Sequence, residues 1–239
     1  MADADADKHS EHNRGVTPLL NTLNMIFIIV APPRSGKTYF ATHLAVKELK
    51  HIGTRKGYNR IYSNYPILDH KTGKSTYKWE KDYSYENIQD SMIIIDEAYT
   101  QYSSRNYKKF TEDDHAFFAL NGHNGNDIYI IAQNAARVDV IIREMCNEMY
   151  YIRKTTLPFS DRPLWFWVHT YQDLNEMAKM TPDPFLAVKR RPMLFRKRVS
   201  KAYDTHYFRK PGEETFNPVL WSELITNPDE TIQTDTEQP

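Results

Sequence analysis

Three groups of residues carry side chains able to do chemistry together. Residues 31–38 read APPRSGKT, which fits the phosphate-binding loop pattern when Ala stands in its first position in place of Gly. In that reading Pro33, Arg34, Ser35, Gly36, Lys37, Thr38 and Tyr39 bind the nucleotide. Backbone N–H groups wrap the phosphates, Gly36 permits close approach, Lys37 reaches the β and γ phosphates of ATP, and the Thr38 hydroxyl ligates Mg²⁺. A Gly-Lys-Ser/Thr triplet alone arises by chance in roughly one chain of this length in ten, so its surroundings decide. Residues 92–98, MIIIDEA, are an apolar run ending in two acids. Asp96 is expected to hold Mg²⁺ through water, and Glu97 to orient and deprotonate the water attacking the γ-phosphate. Gln133 ends a further apolar run, IYIIAQ, and is expected to position that water or sense its hydrolysis. Lys37, Glu97 and Gln133 are thus the catalytic set, and Thr38 and Asp96 the metal ligands.

These residues need elements to aim them. MIFIIVA (25–31) suits a fully buried strand, and from Lys37 to Ile52 the residues Phe40, Ala41, Leu44, Ala45, Leu49 and Ile52 share one helical face before Gly53. NRIYSNYPI (59–67), MIIID (92–96) and DIYIIAQ (127–133) read as strands. Thr111 with Asp114 gives a capping-box start to a helix over 111–121, with Gly122 beyond its end. Val138, Ile141, Ile142, Met145 and Met149 form a second helical stripe over 138–149. NEMYYIRK (147–154) and LWFWVHTY (164–171) are further strands about a turn at DRP (161–163), and the run LWFWV reads as core. Strands alternating with helices imply an α/β fold, with a mostly parallel central sheet covered on both faces.

Composition narrows the class. With 239 residues, 40 % hydrophobic and 26 % charged, the chain is too apolar for disorder and too polar for a membrane protein. No run approaches a membrane span, and the acidic start resembles no signal peptide. A single cysteine, Cys146, and the spacing of His115 and His123 offer no metal set, and point to a reducing compartment. Residues 1–20 and 222–239 read as acidic, disordered tails around one domain at 21–221. The formal charge of zero conceals a basic segment at 187–210, in which nine Lys and Arg oppose only Asp204 and alternate with Phe and Tyr. That combination suits contact with DNA.

The loop APPRSGKT, SNYPI (63–67), IIIDEAY (93–99), GHNGNDIYIIAQ (122–133) and VDVIIREMCNEMYYIRK (138–154) together resemble the Zot-like ATPases of the FtsK–HerA superfamily. The resemblance spans 25 to about 171. It implies a RecA-like P-loop NTPase core of the additional-strand type, dependence on ATP and Mg²⁺, and a homo-oligomeric ring, a hexamer being one candidate size, with sites at subunit interfaces. The implied function is an ATP-hydrolysing motor for viral DNA packaging or virion assembly, with capsid or other virion proteins as partners. Its setting would be the host cytoplasm or the virion. The alternatives are a filamentous-phage-type extrusion ATPase and a P-loop nucleoside or small-molecule kinase. Many Zot proteins continue into a transmembrane helix, absent from this sequence, which favours the packaging version. Family members often carry Arg where this chain has Gly122, so the trans-acting arginine is sought at Arg105, Arg137 or Arg143.

Overall fold

The computed structural model of the chain describes residues 24–54, 57–81, 88–102, 110–157, 163–204 and 219–226. Its continuous apolar runs become central strands because both of their faces are covered. β1 (Ile26–Val30) leads through the glycine-containing loop into α1 (Lys37–Glu48), and β2 (Arg60–Ser63) follows. Three two-residue strands come next, β3 (Leu68–Asp69), β4 (Lys74–Ser75) and β5 (Tyr77–Lys78). After β6 (Ser91–Ile95) the chain forms α2 (Glu112–Ala119) and α3 (Asn121–Asn124), then β7 (Asp127–Ala132) and α4 (Val140–Glu144). The remainder is β8 (Glu148–Thr156), β9 (Pro163–Tyr171), α5 (Leu174–Ala178), β10 (Lys189–Leu194), α6 (Lys197–Ser200) and α7 (Trp221–Thr226).

Eight strands form one sheet in the order β10-β9-β8-β1-β7-β6-β2-β5. From β8 to β5 all neighbours are parallel, whereas β9 and β10 add an antiparallel wing. β7, which follows β6 in sequence, lies between β6 and β1, the additional-strand arrangement. One face packs Ile28, Ile93, Ile95 and Ile130 against Phe117 and Phe118 of α2 and Ile142 of α4. The other packs Ile29, Ile94 and Ile131 against Phe40, Ala41, Ala45 and Leu49 around α1. Each fully buried Ile or Leu contributes about 2 kcal/mol of transfer free energy, and together they fix the height of the strand ends.

Several expectations are corrected. The stripe over 138–149 is helical only from Val140 to Glu144. Asp139 Oδ1 caps it through the Ile141 N–H at 2.9 Å, but Asn147 then exchanges 2.8 Å hydrogen bonds with the Ile26 backbone. That clamp starts β8, so Met149 is buried on a strand. Similarly, α1 ends at Glu48, short of Ile52. The capping box holds, with Thr111 and Asp114 each accepting from the other's N–H. The glycine that stops the following turn is Gly125, at φ 72°, and Gly122 lies inside α3. The strand expected over 59–67 covers only Arg60–Ser63. The helix Trp221–Thr226, with Trp221 buried, carries the domain into the stretch expected as a tail. Residues 1–20, 227–239, 205–210 of the basic segment and most of the turn at 161–163 lie outside the described residues. The basic segment is divided between surfaces. Lys189 lies 3.9 Å from Glu148, Arg190 sits 5.3 Å over the Phe185 ring, and Arg198 pairs with the buried Asp69.

Candidate nucleotide-binding site

The loop between β1 and α1 is shaped by two left-handed residues. Arg34 has φ 60° and Gly36 φ 94°, and the Ser35 N–H donates to the Pro32 carbonyl at 3.3 Å. A Cβ on Gly36 would lie 2.3 Å from Phe166 Cε1, so glycine is required there by both backbone and neighbour. Gly36 is also the N-cap of α1, with no side-chain cap and no acidic residue in the first turn. The first N–H groups of α1 and the positive end of its dipole are thereby left for an anion.

Lys37 folds back into this loop, its buried Nζ donating to the carbonyls of Ala31 at 3.0 Å and Pro32 at 3.2 Å. Burial lowers its pKa, opposed by the charges of Glu97 and Asp96. Thr38 Oγ1 donates to Asp96 Oδ2 at 2.6 Å. The other oxygen, Oδ1, accepts from the Glu97 N–H at 2.7 Å. Burial raises the Asp96 pKa, and these two hydrogen bonds oppose it. The backbone of Asp96 is gripped on both sides by Asn64, one residue past β2: Asn64 Oδ1 accepts from the Asp96 N–H and Asn64 Nδ2 donates to the Asp96 carbonyl, both at 2.8 Å.

Glu97, two residues past the end of β6, stands in a left-handed conformation, φ 48°. Its Oε2 is buried with no hydrogen-bond partner among the described residues. Gln133, one residue past β7, shares the cleft with Lys37, Asn64, Asp96 and Glu97, a space of about 1000 Å³. Its Oε1 accepts from Arg137 at 3.4 Å, and the same guanidinium lies 5.7 Å from the Tyr99 ring centre.

All the sequence-derived site residues except Ser35 line this cleft; Ser35 lies in its loop. Tyr39 does so by packing: it is buried, stacks at 4.8 Å on Phe166 and 5.4 Å on Phe195, and its hydroxyl accepts from the Arg196 N–H at 2.7 Å. Of the arginines, Arg137 is committed to Gln133 within its own chain and Arg143 to the Val138 carbonyl at 3.2 Å. Arg105 lies outside the described residues. Asn64 is the residue that motif reading left out of the site. Its signal, a polar residue ending an apolar strand beside the acidic one, is visible in SNYPI.

A glycine-bearing loop between a buried strand and a helix, an acidic pair on the strand two places away and an intervening strand tipped by Gln133 define an α/β P-loop protein of the additional-strand, RecA-like class. The chain belongs to the zonular occludens toxin (Zot) family, whose sequence profile matches residues 25–205. The N-terminal domain of zonular occludens toxin from Neisseria meningitidis shares the fold, with a TM-score of 0.54 and 19 % identity over 75 % of this chain and 98 % of that one. Two more distant structures match with TM-scores of 0.43. The DNA-packaging ATPase of Sulfolobus turreted icosahedral virus is 16 % identical over 72 % of this chain and 98 % of its own. The genome-packaging NTPase of Sulfolobus turreted icosahedral virus 2, in complex with ATP-γ-S, is 13 % identical over 71 % and 97 %. No curated protein sequence matches the chain. No helix among the described residues is long and apolar enough to cross a membrane.

Proposed function

We propose that the chain is an ATP-hydrolysing motor that drives viral DNA packaging or virion assembly, acting as a homo-oligomeric ring in the host cytoplasm. The observation that carries this reading is the convergence of Lys37, Thr38, Asp96, Glu97 and Gln133 on one cleft at the ends of β1, β6 and β7. Family membership supplies the biological setting.

In this reading the loop N–H groups and the start of α1 bind the phosphates of ATP, and Lys37 exchanges two carbonyls for phosphate oxygens. Thr38 and Asp96 present oxygen donors 2.6 Å apart, a donor set that suits Mg²⁺. The ion would neutralise phosphate charge there. Glu97, with a buried, unpartnered oxygen, accepts a proton from the attacking water and fixes its orientation. Gln133 hydrogen-bonds that water or the γ-phosphate, releasing Arg137.

Phosphate release with and without double-stranded DNA, run beside mass measurement of the particle under ATP, tests the assignment. Lys37→Ala and Glu97→Gln should abolish hydrolysis, and DNA should stimulate the native protein. No hydrolysis would sink the motor. A phosphorylated nucleoside in place of free phosphate would make it a kinase, and indifference to DNA would point to extrusion of protein.

A further inference from the structure

The antiparallel wing β8-β9-β10 has one face that no described helix fully covers. Strand alternation sends Phe166 and Val168 into the core beside α1 and their neighbours Trp165 and Trp167 to the opposite face. The run LWFWV is therefore only half core. The pairing aligns three rows on this face: Tyr151, His169 and Arg190; Arg153, Trp167 and Pro192; Thr155, Trp165 and Leu194. Trp167 is 39 % and Leu194 64 % exposed, whereas Trp165 is half-buried, so Trp167 offers the open indole face and Trp165 a partly covered neighbour. Arg153 is exposed, and Arg190 lies over the ring of the exposed Phe185. Burial, opposed by a backbone hydrogen bond to Tyr151, lowers the pKa of His169 in this row, and the charges of Arg153 and Arg190 lower it further. The rows hold two arginines and no acid.

We infer that this face is a stacking platform for single-stranded nucleic acid, with bases on Trp167 and Trp165 and phosphates on Arg153 and Arg190. Indole faces flanked by guanidinium groups on an open sheet offer what an unstacked strand needs. The two tryptophans are two residues apart on β9, about 7 Å, comparable to one nucleotide step of an extended strand. A duplex keeps its base faces inside its own stack and gains only the two charges. A second copy docking by the same face would bring arginines against arginines. The inference deepens the reading of a DNA-handling motor by naming the form of the polymer, and binding here does not require hydrolysis.

The test titrates the full chain with fluorescein-labelled oligothymidylate and with a duplex of equal length, reading anisotropy and tryptophan emission. Expected are tighter binding of the single strand and quenching on binding. Trp167→Ala should weaken that binding on the order of ten-fold, and Trp167→Phe should recover most of it. Arg153→Gln and Arg190→Gln should each lower the salt slope by about 0.7. Basal ATP hydrolysis should be unchanged in all four variants. Tighter duplex binding, unchanged affinity in Trp167→Ala, or concentration-dependent self-association lost in that variant would each overturn the platform. Single-strand binding by a native protein that hydrolyses no ATP would support the platform and sink the motor alone.

Discussion

Replacing Asn64 by Ala tests whether β2 holds the acidic end of β6 in place. The substitution deletes two 2.8 Å hydrogen bonds, one to the Asp96 N–H and one to the Asp96 carbonyl, and leaves both groups without these partners. Each loss costs about 1 kcal/mol net, and up to 3 where the orphaned group stays dry. Because the cleft admits water, a total of about 2 kcal/mol is expected, or about 4–8 °C in Tm for a domain of this size. The Asn64 N–H, which donates to the Ile94 carbonyl at 3.2 Å, survives and keeps the strand paired. Activity should suffer more than stability, since the Asp96 carboxylate and the left-handed turn at Glu97 both take their position from the backbone on either side of Asp96. A displacement of about 1 Å at reacting groups costs on the order of a hundred-fold. Urea unfolding and steady-state phosphate release read the two effects. Asn64→Asp sharpens them, because the carboxylate can still accept from the Asp96 N–H but cannot donate to its carbonyl, and it adds charge beside two acids. An Asn64→Ala protein within 0.5 kcal/mol of native stability and at native hydrolysis rate would refute the positioning argument.

Other parts of the fold make equally checkable demands. Gly36→Ala should cost about 2 kcal/mol or more, from a left-handed φ and a 2.3 Å approach to Phe166. Calorimetric titration should find its ATP affinity lost, and Phe166→Leu should relieve only the clash. Arg198 foremost, helped by Thr72, holds the Asp69 carboxyl at about 2 against the ordinary 3.8. The resulting stability of about 1–2 kcal/mol is present above pH 4 and lost as pH falls through about 2. Asp69→Asn should therefore differ from the native protein in urea at pH 7 and nearly match it near pH 2; a gap that stays the same or widens as pH falls would refute the linkage. Burial pushes the Cys146 thiol up to about 12, so an aromatic disulfide reagent at pH 8 should label it only as fast as the protein opens.

The central strands and the loop were legible because their physics is local. IFIIV and SMIII are buried on both faces, and such strands have to be continuous apolar runs. The capping box of α2 is likewise written in neighbouring residues. What escaped was decided at a distance. Val138, Ile142 and Met149 are all buried, as a helical stripe requires, but the clamp between Asn147 and Ile26 ends the helix early, and no window around 138–149 contains Ile26. β3, β4 and β5 are two residues long, too short to show a period. In LWFWV, five large apolar residues mask an alternation that only the partner strands reveal. Asn64 went unassigned because its role lies in a peptide on another strand.

The position of β1 has a consequence for how the protein is made. Ile26 pairs with Ile128, and Phe27 with Glu148, so the strand that feeds the phosphate loop has no partner until β7 and β8 have been translated. At about 5–20 residues per second it waits on the order of ten seconds as a bare apolar segment, a ready target for chaperones or for other nascent chains. ATP binds only the assembled loop, and a ligand stabilises only the state it binds. Nucleotide thus offers no protection during that interval, however much is present in the cell.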